Sequence, residues 1–265
     1  MTLEPQSPNT QENPVQPPTQ DSTIPPRPRS KFVLRAKKPY VTNAILVFTV
    51  LVFALQYITK TIYQIDYPLA LGAKVNAAIT AGQYWRLLTP VFLHGSLMHI
   101  AFNMYALYII GRGIELYYGH LEYAFLYFLS GIGGTLFSYY LSQNASVGAS
   151  GAIFGLIAAD AILLYKNKHI LGPGAKNMLQ RSVMVIVINL LIGLTPNLNI
   201  DNWGHVGGMM IGIIYAWFAG PMVSIERTEN DILIQLKSDR AHCIRIALII
   251  LLGIIGLVVF KINFS

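Results

Sequence analysis

Val147 to Tyr165 reads Val-Gly-Ala-Ser-Gly-Ala-Ile-Phe-Gly-Leu-Ile-Ala-Ala-Asp-Ala-Ile-Leu-Leu-Tyr, and the reading of this stretch decides the fold. It has the composition of an apolar helix, yet Ser150 sits among small residues near its start. A polar group inside hydrocarbon must find a partner, whereas a serine among glycines at the outer end of a membrane helix can face a small wet cavity. Taken alone, serine in a Gly/Ala-rich membrane helix is more often a packing residue. The rest of the chain has to choose between the two.

Working outward, composition sets the environment. Apolar residues make up 54% of the 265 residues and charged ones 12%, with a mean hydropathy of +0.49. Charge-free runs extend over Pro39–Thr59, Leu87–Gly111, Tyr123–Ala159, Ser182–Ile200, Asn202–Ile225 and Ile246–Phe260. A helical crossing needs roughly 20 apolar residues, so the run from Tyr123 holds two, broken at Ser142 to Gly148, and seven crossings are expected. The net charge of +7 does not point to nucleic acid, because 15 of the 19 basic residues fall on one side of those crossings, among them Arg27 to Lys38, Arg112, Lys166 to Arg181 and Arg227 to Arg245. The positive-inside rule then puts the N-terminus in the cytoplasm and the C-terminus outside. The basic excess reports topology and anionic lipid. Cys243 is the one cysteine and offers no disulfide framework.

The chain divides accordingly. Residues 1–38 are expected to be a disordered, proline-rich cytoplasmic tail, with eight prolines before Ser30, ending in a basic juxtamembrane anchor. Residues 39–222 form the six-crossing core, 223–245 a cytoplasmic linker and 246–265 the seventh crossing. The first apolar run begins about 40 residues in and carries no obvious cleavage site, so no signal peptide is read. The absence of a recognisable transit peptide favours a prokaryotic plasma membrane. Asp66 to Pro90 is expected to be a structured outer loop, with Tyr84-Trp85-Arg86 at the membrane interface, ring and guanidinium reaching the headgroups.

Three crossings place polar groups at one depth. His99 and Asn103 are four apart on one face of the second crossing; Ser150 opens the fourth; His205 lies in the first turns of the sixth. All three enter from the outer side. The chemistry this suits is acyl transfer, with Ser150 as nucleophile and the His205 imidazole as base. His99, Asn103 and the backbone N–H of Ser150, near a helix N-terminus, can aim donors at an oxyanion. Phe154, one turn after Ser150, is placed to stack on His205. Gly151 and Gly155 form a Gly-x-x-x-Gly face, and Gly208 and Gly212 a second that can press against it. Glu115, between Gly111 and Gly119, reads as a structural acceptor tying helix ends. Asp160 lies ten residues past Ser150, roughly 15 Å deeper. His120, His169 and His242 fall in expected cytoplasmic loops. Metal hydrolysis would call for a His-Glu-x-x-His helix or a Cys/His cluster, and neither is present; no metal and no cofactor are expected. A Gly-x-Ser-x-Gly elbow is excluded by Ala152. Asp201, four before His205, is the one acid that could complete a triad, but its place at the wet edge argues for a Ser-His pair alone.

Together these residues resemble the rhomboid family of intramembrane serine proteases. The resemblance rests on Tyr84-Trp85-Arg86, on His94, His99 and Asn103, on Gly111, Glu115 and Gly119, on Gly148-Ala-Ser150-Gly151, and on His205 with Gly208 and Gly212, covering about residues 41–220. It implies an all-α polytopic membrane protein, a six-helix bundle plus one C-terminal transmembrane helix, with a Ser150/His205 dyad. It further implies an oxyanion site near His99 and Asn103, with His94 lining the same hydrated pocket and Gly148 supporting the site beside Ser150. Phe154 stands where the family often has tyrosine, which keeps the stack and loses a hydroxyl. Substrates would be transmembrane segments of other proteins, drawn from the bilayer, unwound at small or helix-breaking residues and cut near the outer face, with the fifth helix and first loop as gate. Two other classes compete: a catalytically silent rhomboid-like protein that retains membrane clients, against which both nucleophile and base are present, and a transporter or channel, for which no repeat relates the two halves.

Overall fold

The computed structural model describes residues 29–33, 35, 38–195, 200–227 and 231–264. The proline-rich tail before Arg29 lies outside these described residues, as do Pro196 and Asn197 of the outer turn. The elements run β1 (Arg29–Val33), α1 (Tyr40–Tyr63), α2 (Tyr67–Gly72), α3 (Asn76–Thr80), short 3-10 turns at Tyr84–Leu87 and Thr89–Phe92, and α4 (Leu97–Ala106). A π-helical turn at Leu107–Gly111 leads into α5 (Arg112–Tyr118). There follow α6 (His120–Leu141), α7 (Ser150–Leu171), α8 (Pro173–Gly193), α9 (Asn202–Ala219), β2 (Met222–Arg227), β3 (Asp231–Lys237) and α10 (Arg240–Asn263).

Local chemistry sets the boundaries. Gly172, at a φ of 71°, ends α7 where only glycine is unstrained, and Pro173 at once begins α8, using the fixed φ that suits a first helical turn. The Asp201 carboxylate accepts the Gly204 N–H at 3.0 Å and starts α9. Asp239 does the same for α10, accepting from Ala241 N at 2.9 Å.

Among the described residues four helices, α1, α6, α8 and α10, are long and apolar enough to cross a membrane by length and composition. α7 and α9, which carry Ser150 and His205, are not among them. They form the centre of the bundle with α6, whose apolar window is 61% buried, while that of α8 is 6% buried and faces outward. α7 and α9 touch backbone to backbone: a Cβ on Gly208 would overlap the Gly151 carbonyl, and one on Gly212 would overlap the Gly155 carbonyl. α6 joins them through Gly134, where a Cβ would fall 2.5 Å from the Gly204 oxygen. Without glycine the three helices could not approach so closely, so small residues replace the hydrophobic drive that lipid does not supply.

The expected all-α membrane architecture carries one addition. β1, β3 and β2 form a three-stranded sheet, with β1 parallel and β2 antiparallel to β3. Strands therefore form where the proline-rich tail gives way to the basic anchor and over much of the stretch read as a linker. The signal was alternation, Val223 and Ile225 in one strand and Ile232, Ile234 and Leu236 in the other, masked by the charges around it. Val223 and Leu236 are buried. Arg35, beyond β1, binds Glu122 at 2.9 Å and the Tyr118 carbonyl at 2.5 Å. Glu115 is fully buried and accepts from Val41 N, Thr42 N and the Thr42 hydroxyl, tying the start of α1 to α5.

Candidate active site

The outer segment between α1 and α4 is a packed brace. Arg86 does not reach for headgroups: it is 6% exposed, and its guanidinium donates to Ala73 O at 2.7 Å, Ala70 O at 2.8 Å and Gln83 Oε1 at 2.7 Å. A planar fork with five donors can close a loop on itself more cheaply than it can be left unpaired. Trp85 stays half exposed and donates its indole N–H to Leu71 O at 2.9 Å.

This brace holds the chain that leads to Ser150. Lys74 and Ser146 pair backbone to backbone at 3.0 and 3.2 Å. The fully buried Lys74 side chain donates to the carbonyls of Ser142 and Asn144 at 2.8 and 2.9 Å. Burial lowers the Lys74 ammonium from 10.5 to about 8, with the Asp201 carboxylate opposing the shift. Two residues before Ser150, Gly148 takes a φ of 124° and donates its N–H to Pro90 O at 2.9 Å. A Cβ at Gly148 would lie 2.7 Å from His99 Nε2, so glycine there both permits the turn and leaves room for the imidazole.

Ser150 is the first residue of α7, and its hydroxyl lies 2.9 Å from His205 Nε2 across the α7–α9 contact. The His205 ring is stacked on Phe154, centroids 4.2 Å apart and planes 7° from parallel. His205 Nδ1 is buried and has no partner among the described residues. The Asp201 carboxylate caps α9 and makes no described hydrogen bond with the His205 ring. His99 stands across Gly148 from Ser150, and its ring meets His94 edge to face at 5.0 Å. Asn103 is 6% exposed and donates to the His99 carbonyl at 2.9 Å. Its amide has two N–H groups, so one donor remains for another acceptor. A cavity of about 30 Å³ beside Ser150 is walled by Gly131, Gly134, Gly151 and Gly204, with Thr135 and Asp201 at its edge.

The structure thus brings together Ser150, His205, Phe154, His99, Gly148 and, through His99, His94 and Asn103. It places His120, His169 and His242 elsewhere, at helix ends rather than in loops; His120 pairs with Glu115 at 2.5 Å. Among the described residues no His, Cys, Asp and Glu cluster could hold a metal ion. Two supporting residues went unread in the sequence. Gln56, 2% exposed in the middle of α1, receives the His94 N–H at 3.1 Å and donates to the His94 carbonyl at 3.2 Å and to Asp66 at 2.9 Å. A carboxamide inside an apolar run was the signal. Lys74 had only its isolation in a poorly charged loop.

A family model described as Rhomboid domain matches residues 81–222. Among curated proteins, the chain is 35% identical over 184 residues to "Rhomboid protease GluP" of Bacillus subtilis (strain 168), covering 69% of this chain and 36% of that protein. It is 35% identical over 166 residues to "Rhomboid protease AarA" of Providencia stuartii, covering 54% and 58%. It is 31% identical over 160 residues to "RHOMBOID-like protein 9, chloroplastic" of Arabidopsis thaliana, covering 60% and 36%. The chain therefore spans between about a third and three-fifths of the length of these relatives.

Proposed function

This chain belongs to the rhomboid family, and on that premise we propose that it is an intramembrane serine endopeptidase that cuts transmembrane segments of other proteins. The single observation that carries the reading is the 2.9 Å approach of Ser150 Oγ to His205 Nε2, with the His205 ring clamped on Phe154. The relatives named rhomboid protease support the same activity.

In this reading His205 Nε2 takes the Ser150 proton as Oγ attacks the scissile carbonyl, then gives it to the leaving amine. Charge develops on the carbonyl oxygen. The Ser150 N–H, at the helix end where backbone N–H groups lack intrahelical partners, the free Asn103 N–H and the His99 ring serve as donors. Gly148 sets the turn that aims Ser150, and His94 packs against His99 to fix its ring. The cavity of about 30 Å³ beside Ser150 exceeds the ~10–15 Å³ that one water needs by only a small margin. The residue whose side chain enters it is therefore small.

The protein crosses the membrane seven times, with residues 39–222 as the catalytic unit and α10 as an addition. Its N-terminus is cytoplasmic and its C-terminus outside, in a prokaryotic plasma membrane, and the cut falls near the outer face. The side on which 15 of 19 basic residues fall supports this orientation. The test is cleavage of a single-span substrate with alanines near its outer end, in reconstituted bilayers. Wild type cuts, while Ser150→Ala and His205→Ala do not. Cleavage by both variants at the wild-type rate would overturn the dyad.

A further inference from the structure

A second cavity among the described residues shares no lining residue with the one beside Ser150. About 330 Å³ in volume, it lies between the ends of α5, α7 and α8 and the three-stranded sheet, walled by Leu163, Leu164, Ala175, Val223 and Leu236. Clefts of ~300–1,000 Å³ with mostly apolar walls and a few polar groups are typical of small-molecule sites. The one acid in its wall is Asp160.

Asp160 is poorly provided for. Its one described hydrogen bond comes from the Ser182 hydroxyl at 3.2 Å, and that hydroxyl is equally placed to donate to Met178 O at 3.2 Å. A hydroxyl has one proton, so it cannot serve both. Among the described residues no lysine, arginine or histidine forms an ion pair with Asp160, and none lines the cavity. A carboxyl in an apolar wall stays ionised only where a cation or a strong donor meets it, and otherwise takes up a proton. Most of the remaining wall is aliphatic, so the complementary molecule is aliphatic with a single cationic end.

We propose that this cavity binds an aliphatic primary ammonium, its chain against Leu163, Leu164 and Leu236 and its NH3+ on the Asp160 carboxylate. The ammonium comes either from a free long-chain amine or from the ethanolamine headgroup of a lipid. In the second case only the two-carbon ethanolamine end enters, its methylenes taking the place of the chain, because no cation lines the wall to receive the phosphate. Entry is past α8, whose apolar window is only 6% buried. At the cavity edge on that helix, a Cβ added to Gly174 would meet nothing within 4 Å, so the way in is open. The site is independent of Ser150.

The test uses the full chain in phosphatidylcholine nanodiscs with a long-chain primary amine carrying a mid-chain diazirine, beside the matching alcohol. After irradiation, labelled peptides are identified by mass spectrometry. The amine labels peptides containing Leu163, Leu164 or Met178 about tenfold more than the alcohol does, as expected for one charge-assisted hydrogen bond. Asp160→Asn brings the amine down to the level of the alcohol, and Asp160→Glu retains most of the difference. Gly174→Leu fills the cavity from an open position without touching Asp160 and abolishes labelling by both probes. Ser150→Ala labels as wild type. Competition by added phosphatidylethanolamine assigns the ammonium to a lipid headgroup, and lack of competition assigns it to a free amine. Equal labelling by amine and alcohol, or labelling unchanged in Asp160→Asn, overturns the proposal.

Discussion

Gly208→Ala adds one methyl group at the closest point between α7 and α9. A Cβ there would overlap the Gly151 carbonyl, which belongs to the residue next to Ser150, and Gly208 is one helical turn beyond His205. Backbone on one side and backbone on the other leave no flexible side chain to yield. Restoring ordinary contact, 3.4 Å or more, moves α9 away from α7 by about 1 Å or more. The Ser150–His205 hydrogen bond of 2.9 Å then stretches towards 4 Å, beyond hydrogen-bond length. A misplacement of ~1 Å at reacting groups costs about 100-fold in rate, and overpacking a close interface costs about 1–3 kcal/mol of stability. Three measurements follow: cleavage rate of a single-span substrate, labelling rate of Ser150 by a fluorophosphonate, and thermal midpoint in the same detergent. Both rates fall about 100-fold and the midpoint drops. Gly256→Ala is the internal control, since a Cβ there meets nothing within 4 Å; it leaves the rates unchanged and adds helix propensity worth about 0.5–1 kcal/mol. If Gly208→Ala cleaved within about twofold of wild type, the claim that this contact sets the dyad would be refuted.

Phe154→Ala removes the stack on His205 and lowers cleavage by about 3- to 10-fold, in line with ~0.5–1.5 kcal/mol for an aromatic pair; Phe154→Tyr keeps the rate, and a rate equal to wild type for the alanine variant refutes the clamp. Asp201→Asn preserves the cap on α9, because Asn and Asp are equivalent there, and leaves kcat within a few-fold; a loss matching His205→Ala would make Asp201 a third member of the dyad. Lys74→Met leaves the Asn144 carbonyl without its donor, while Ser142 O keeps the Asn76 amide at 3.0 Å, and lowers stability by about 1–3 kcal/mol for the one group left unpaired, read as thermal midpoint. The Lys74 contribution also depends on pH. With a folded pKa of about 8 against 10.5, the unfolded chain holds more protons between those values, so stability rises with pH across that window and the burial penalty is fully present below pH 8. The neutral amine still has two N–H groups for two carbonyls. The midpoint of the wild type therefore gains on that of Lys74→Met from pH 8 to 10; a flat difference refutes the assignment.

Which parts of this were legible beforehand follows from what each kind of signal encodes. Apolar runs long enough to cross a bilayer state their own length, so α1 and α6 were readable to within a few residues, whereas α8 and α10 begin at Pro173 and Arg240, well before the charge-free runs at Ser182 and Ile246, because charged residues at a membrane edge can continue a helix. The meeting of Ser150 with His205 was readable for another reason: topology fixes depth, and polar groups at equal depth in a bundle have few other neighbours. Arg86 was misread because a guanidinium in an outer loop is as comfortable in headgroups as on loop carbonyls, and only the fold of the loop decides. The β2–β3 hairpin was missed because its strands are short and its alternation is diluted by Glu226, Lys237 and the basic residues around them. Gln56 was readable by the rule already applied to His99 and Asn103, that a polar group in an apolar run must have a partner, but its partners are the His94 peptide, which leaves no trace in sequence, and Asp66, which lies in a loop whose fold sequence does not give.

The helices that carry the candidate chemistry are the ones an apolarity criterion passes over. α1, α6, α8 and α10 satisfy it, while α7, α9 and the π-interrupted run from α4 to α5 do not. Polar residues in a crossing are costly when they face lipid, so helices bearing them must be covered by others, and covering requires close approach. In α7 and α9 that approach is made by glycines, and glycines lower apolarity further. The same residues that weaken each helix as an isolated span therefore let the pair come near enough for Ser150 and His205 to touch. Stability and dyad geometry share one contact here. A substitution at Gly151, Gly155, Gly208 or Gly212 should thus alter both together, whereas Ser150→Ala, which removes one hydroxyl, should alter rate with little change in stability. That split distinguishes residues that build the site from residues that act within it.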